Sequence, residues 1–170
     1  MSHRPPCALP RRPERGVTLM EALIAAVLLS MCALAYASLQ MRGLSANTSS
    51  MWRSKAVMLA YEMSDRLRTN AAGLALGSYN DLTGAPAVVA DCGSASACAP
   101  ARMALFDHYQ WNLAIARDLP VGLGAVCLDS TPDDGDLADA GCDGVGTTFA
   151  VKLFWKERDI ESRLAVAVRP

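Results

Sequence analysis

The stretch from Ala22 to Met41, ALIAAVLLSMCALAYASLQM, runs twenty residues without a charged side chain. At about 1.5 Å of rise per residue, a helix of that length matches a hydrocarbon core of about 30 Å. The chain must therefore keep this run in lipid or lose it in processing. What remains is short: with 170 residues, 52% hydrophobic against 19% charged, the chain has material for one ordinary core. The formal charge of -1 hides an asymmetry, because residues 1–16 hold Arg4, Arg11, Arg12 and Arg15 against Glu14, leaving an acidic body. Nucleic-acid binding rests on clustered Lys and Arg neutralising phosphates, so nucleic acid is not an expected partner.

Three readings compete for the apolar run. A secretory signal would use the small residues of Ala33-Leu34-Ala35 or Ala35-Tyr36-Ala37 as its cleavage site, but some twenty residues precede the run and Glu21 stands where such signals carry base. A lipoprotein signal would use Cys32, but Met31 occupies the position that wants a small residue. The third reading is a retained membrane helix behind a hydrophilic leader. Arg11, Arg12 and Arg15 crowd the flank that the positive-inside rule assigns to the cytoplasm. Gly16 then breaks the pattern, and Val17-Thr18-Leu19-Met20-Glu21 leads into the apolar residues.

This order resembles the prepilin leader of type IV pilins and pseudopilins: a Gly, an apolar residue, Thr, Leu, any residue and Glu, then about twenty apolar residues. The resemblance implies a prepilin peptidase that cuts between Gly16 and Val17 and methylates the new amine of Val17. The family usually places Phe first in the mature chain, where this sequence has Val17. A carboxylate at Glu21 is costly in a membrane and calls for a partner. Lying one turn from Val17, it is placed to neutralise a protonated N-terminal amine, and the resemblance implies a neighbouring subunit's amine in a filament.

No Pro occurs between Pro13 and Pro86, and Trp52, Ala56, Leu59, Met63 and Leu67 recur at helical spacing. One helix from about 17 to 70 is expected, with its first half lipidic, its second half amphipathic, and Asn70 and Gly73 as stop signals. Residues 73–100 read as a connecting loop with turns at Gly77, Gly84 and Pro86. A second helix is expected from Pro100 to Asp118, with Met103, Phe106, Tyr109, Leu113 and Ala116 as its apolar face. Gly124 to Asp129 reads as a short strand. The C-terminus reads as a hairpin in which Val151, Leu153 and Trp155 alternate with Lys152, Phe154 and Lys156, Glu157 to Glu161 turn, and Leu164, Val166 and Val168 return. The expected class is α+β and pilin-like: a long N-terminal helix packed against a small antiparallel sheet, with disulfide-closed loops.

In this topology Cys7 leaves with the leader, Cys32 lies in lipid, and Cys92, Cys98, Cys127 and Cys142 lie in an oxidising compartment. Four cysteines allow three connectivities. Pairing Cys92 with Cys98 and Cys127 with Cys142 is expected, since each pair closes a loop lacking regular structure. Closing a loop of about 15 residues contributes about 3 kcal/mol in the chain-entropy model. A four-thiolate zinc site lacks its usual CxxC spacings. Between and beside the second pair stand Asp129, Asp133, Asp134, Asp136, Asp139 and Asp143. Calcium at Asp133, Asp134 and Asp136 fails the EF-hand spacing, so a solvated loop is the expectation. Beyond the leader His108 is the only histidine and is expected at a surface or groove, and no GxSxG, Walker or dinucleotide motif occurs. Neither an enzyme nor a resident cofactor is expected.

Asp91-Cys92-Gly93, Cys98, the helix around Asp107 with Trp111, Leu119-Pro120-Val121-Gly122 and the C-terminal Val, Phe and Trp strand resemble the minor pilin family called type IV pilus modification protein PilV. That resemblance implies a minor pilin of the tip or priming complex that starts pilus assembly, supporting attachment and twitching. Its implied partners are the prepilin peptidase, other minor pilins, the major pilin and an inner-membrane platform. The expected division is a leader over 1–16, an assembly helix in the inner membrane over 17–41, its amphipathic continuation over 42–72 and a periplasmic head over 73–170. A minor pseudopilin of a type II secretion system is the alternative, and a secreted or signal-anchored binding domain is a second.

Overall fold

A computed structural model describes residues 16, 18–89, 92 and 98–169. The leader residues before Gly16, Val17, and Asp91 and Gly93 lie outside the described residues. Helix α1 runs Leu19–Thr69, and its most apolar stretch has a mean hydropathy of 2.2, long and apolar enough to cross a membrane. The chain divides into two compact units, Met1–Ser45 and Ala46–Pro170. In the first unit the apolar side chains of α1 from Leu19 to Leu44 are exposed, as expected of a surface whose solvent is not water.

The second unit holds the head together with the last part of α1. Its part of α1 buries Ala56, Leu59, Ala60, Met63, Ser64 and Leu67, the three-and-four spacing of one helical face. The chain does not stop at Gly73. Asn70 caps a short helix α2, Ala71–Ala75, its side chain accepting from the Gly73 N–H at 3.1 Å. A Cβ at Gly73 would meet Asn70 Nδ2 at 2.5 Å, so glycine here makes room for the cap and does not break the helix. Helix α3 spans Pro100–Asp118 with proline in its first turn.

Strands β1 (Leu123–Leu128), β2 (Phe149–Glu157) and β3 (Ile160–Val168) form an antiparallel sheet with β2 in the middle. Val126 pairs with Val151, and Val151 with Val166. The hairpin turn is tighter than the sequence suggests: Glu157 and Ile160 pair directly, leaving Arg158 and Asp159 to turn, with Arg158 at φ 60°. The core gathers the α1 face, Trp111 and Ile115 of α3, and the inner sheet residues Phe149, Val151, Leu153 and Trp155. Thus the protein is a pilin-like α+β fold, a long N-terminal helix packed against a three-stranded antiparallel sheet with two disulfides.

One expectation about which side faces inward fails, and β2 is buried on both faces. Lys152 and Phe154, which alternate with the core residues, are 1% and 2% exposed. A second layer, the loop between β1 and β2, covers that outer face. Helix α3 turns Ala104, Asp107, His108, Trp111, Asn112 and Ile115 inward, not the Met103, Phe106, Tyr109, Leu113 and Ala116 stripe; Leu113 is half exposed. A stripe chosen by hydropathy misses this face because its polar groups find buried partners.

Close helix–sheet approach depends on Gly124, where a Cβ would lie 2.3 Å from Trp111 Cζ3 and 2.5 Å from Ile115 Cδ1. Gly124→Ala should lower the unfolding free energy by about 1–3 kcal/mol through overpacking. Gly43→Ala in α1, where a Cβ meets nothing within 4 Å, should leave stability unchanged or slightly raised. Denaturant midpoints of the full chain in detergent check both.

Candidate functional site

The predicted assembly motif lies at the start of α1. Gly16 is non-helical and helical structure begins at Leu19. Thr18 caps it: its Oγ1 accepts from the Glu21 N–H at 3.3 Å, and its carbonyl accepts from the Ala22 N–H at 3.2 Å. With Thr18 as the cap, Glu21 occupies the acidic position of a capping box, where the helix dipole favours a negative charge. Glu21 is exposed and no partner for its carboxylate occurs among the described residues. Cys32 is an exposed free thiol within the apolar stretch.

In the head, a buried polar seam ties α1 to α3. Asp107 accepts from Arg66 Nη1 at 3.0 Å and from the Tyr79 hydroxyl at 2.6 Å. Asn70 Nδ2 donates to the Tyr79 hydroxyl at 3.1 Å and to the Pro100 carbonyl at 2.9 Å. Trp111 Nε1 donates to the Leu59 carbonyl of α1 at 2.8 Å. The next residue, Asn112, accepts from the Gly124 N–H at 2.8 Å and donates to the Gly124 carbonyl at 3.1 Å, while His108 Nε2 lies 3.1 Å from the same carbonyl. His108 is therefore a core residue, 4% exposed, and not the surface or groove residue the sequence suggests. Burial pushes its pKa below the usual histidine value, against the opposing pull of the Gly124 carbonyl. Burial and the bond to Asp107 both raise the Tyr79 pKa. The connecting segment after Gly73 also contributes to the core, for Tyr79 is fully buried and Asn80 Oδ1 accepts from the Leu128 N–H at 3.0 Å.

Both disulfides form between neighbours in sequence, Cys92 with Cys98 and Cys127 with Cys142. The second closes the acidic loop, which is ordered and not merely solvated. Asp134 Oδ1 lies 2.7 Å from the buried Lys152 Nζ, and Asp129 Oδ2 is ion-paired with the same ammonium. Asp133 meets Arg163 Nε at 3.4 Å. Asp136 Oδ1 accepts from the Ala138 and Asp139 N–H groups at 2.8 and 2.9 Å, and Asp143 takes the Ser130 hydroxyl. The Asp134 carboxyl is held below the usual carboxylate range chiefly by Lys152, and then by Thr131. Backbone N–H groups hold Asp136 low, and the Ser130 hydroxyl does the same for Asp143. The three calcium candidates thus have separate partners, and no cluster of three His, Cys, Asp or Glu able to hold a metal occurs among the described residues. A cleft of about 230 Å³ between this loop and the sheet is lined by Asp81, Leu123, Asp136, Leu137 and Phe154.

Two outcomes follow for the seam. A histidine that is neutral when folded binds its proton more readily when unfolded, so its contribution is fully present above the unfolded pKa near 6.5 and is lost as pH falls toward the lower folded value. Stability should therefore drop between about pH 7 and pH 5, and the drop should shrink in His108→Gln, read from denaturant midpoints. Tyr79→Phe removes a buried donor to Asp107 and should cost about 1–3 kcal/mol by the same measurement.

Residues 38–109 match the family model Tt1218-like, described as type IV pilin Tt1218. This segment runs from the second half of the apolar stretch through the first half of α3. Over that segment the chain is similar to a type IV pilin. No curated protein matches the chain, and no solved structure does.

Proposed function

We propose that the protein is a minor type IV pilin of the kind called PilV, acting in the complex that primes pilus assembly and sits at the tip. The observation that carries this reading is the coincidence of two features. A Gly16-Val17-Thr18-Leu19-Met20-Glu21 motif stands where helix α1 begins, and α1 leads directly into the segment that matches a type IV pilin.

The subunit waits in the inner membrane with residues 1–16 inside, residues 17–41 in lipid, the amphipathic continuation over 42–72 and the head over 73–170 in the periplasm. A prepilin peptidase cuts between Gly16 and Val17 and methylates the Val17 amine. The helix begins at Leu19, capped by Thr18, so it starts beyond the bond to be cut. Removing the leader takes away Arg11, Arg12 and Arg15 and exposes one amine within a turn of Glu21. In low dielectric an unpaired carboxylate is costly, so Glu21 pairs with the amine of a neighbouring subunit and sets the register of addition. The apolar side chains of residues 22–41 then exchange lipid for other pilin helices. Other minor pilins, the major pilin and the platform are the partners of this step, which supports attachment and twitching motility.

Intact mass and N-terminal sequence of the protein from native membranes test the first step. The expected product starts at Val17, carries one extra methyl and disappears without the peptidase. A start at Tyr36 or Ser38, or an uncut Met1, overturns the reading. Glu21→Ala should be cut normally yet fall by at least about tenfold in sheared filaments, the loss of one buried charge pair. A deletion strain should lose pili; losing secreted enzymes instead would assign the protein to a type II secretion system.

A further inference from the structure

Lys152 sits in the central strand with its side chain 1% exposed. Its ammonium is enclosed by oxygen: Asp134 Oδ1 at 2.7 Å, the Ala140 carbonyl at 2.9 Å, the Gly141 carbonyl at 3.2 Å, the Asp134 carbonyl at 3.5 Å, and the ion-paired Asp129 Oδ2. Asp129 is itself fully buried. All of these oxygens belong to residues within the loop closed by Cys127 and Cys142, with Asp129 directly following β1.

Two carboxylates of short side chains and three inward-turned carbonyls form the oxygen set that a hard divalent cation takes from a protein loop. Turning the carbonyls inward needs unusual backbone. Gly135 and Gly141 lie at φ 85° and 65°, and a Cβ at Gly135 would meet the Ala140 carbonyl oxygen at 2.3 Å. The loop is thus wrapped around a positive charge, and that charge is delivered by a strand of the same chain. An ammonium carries three donors and one unit of charge, against five oxygens that include two carboxylates, so the cage is not over-neutralised and holds more acceptors than the lysine can fill.

We propose that the Lys152 ammonium is a tethered cation filling an oxygen cage that would otherwise take a divalent metal. The acidic loop of the head consequently keeps its conformation with no metal present, and removing the lysine charge turns the cage into a calcium site. Without that charge Asp129 is a buried carboxylate lacking its counter-ion, the costly half of a broken buried pair. The loop then opens to water or binds calcium. This inference concerns the head alone and stands independently of the pilus assignment.

The test uses the full chain in detergent with disulfides intact, and follows cutting inside residues 129–142 by a protease that cleaves beside aspartate, in EDTA or in calcium chloride. Wild type should be cut slowly and at the same rate in both. Lys152→Met should be cut at least about tenfold faster in EDTA, with calcium chloride restoring most of the protection. Asp134→Asn, which keeps the lysine and weakens one side of the cage, should be cut faster than wild type in both conditions. A wild-type loop that needs calcium for protection, a Lys152→Met loop that stays protected in EDTA, or one that calcium fails to protect would each overturn the proposal. If Lys152→Met does not fold, Asp134→Asn carries the test, and its cutting at the wild-type rate overturns the proposal.

Discussion

The head depends on how α3 is fastened to the amphipathic half of α1. Apolar contact alone would let two helices slide, because dispersion and area burial have little direction. The indole of Trp111 reaching the Leu59 carbonyl fixes the depth of α3 on α1, and Asp107, held between Arg66 and Tyr79, fixes its rotation. Asn112 then takes both the N–H and the carbonyl of Gly124, so the helix also sets the entry of the first strand. Tyr79, Asp107, Trp111 and Asn112 are buried and paired, and Arg66 is partly buried, which makes these groups expensive to lose and the arrangement specific.

This seam explains which parts of the fold were legible in sequence. The apolar run, the bounds of α3 and the hairpin all announce themselves through period, punctuation and composition. The inward face of α3 does not, because Asp107, His108 and Asn112 read as surface until their partners are known. Those partners come from α1, from β1 and from the segment around Tyr79, separated by up to dozens of residues, and no local pattern carries them. The only signal available was negative: the run Asp107-His108-Tyr109-Gln110-Trp111 is too aromatic for a purely solvated helix face.

Lys152 is the same lesson in the sheet. Alternation along a strand tells which residues share a side, and it did so correctly, since Val151, Leu153 and Trp155 face the core together. It cannot tell whether the other side is wet. The loop from Asp129 to Cys142 supplies the missing layer, and its carboxylates, which look like a solvated or metal-seeking cluster, are arranged around charges from β2 and β3. Aspartate-rich loops are ambiguous for this reason: the counter-charge decides between them and lies elsewhere in the chain.

The position of Lys152 has a kinetic side. The loop it organises is complete by Cys142, ten residues before the lysine itself, so the disulfide can close at a stage when nothing yet fills the centre of the loop. Closing the ring shortens the search that follows but cannot finish it, because the ammonium arrives only when β2 pairs with β1. Covalent closure and final ordering are therefore separable events. The native shape of this outer layer requires the central strand to be in register.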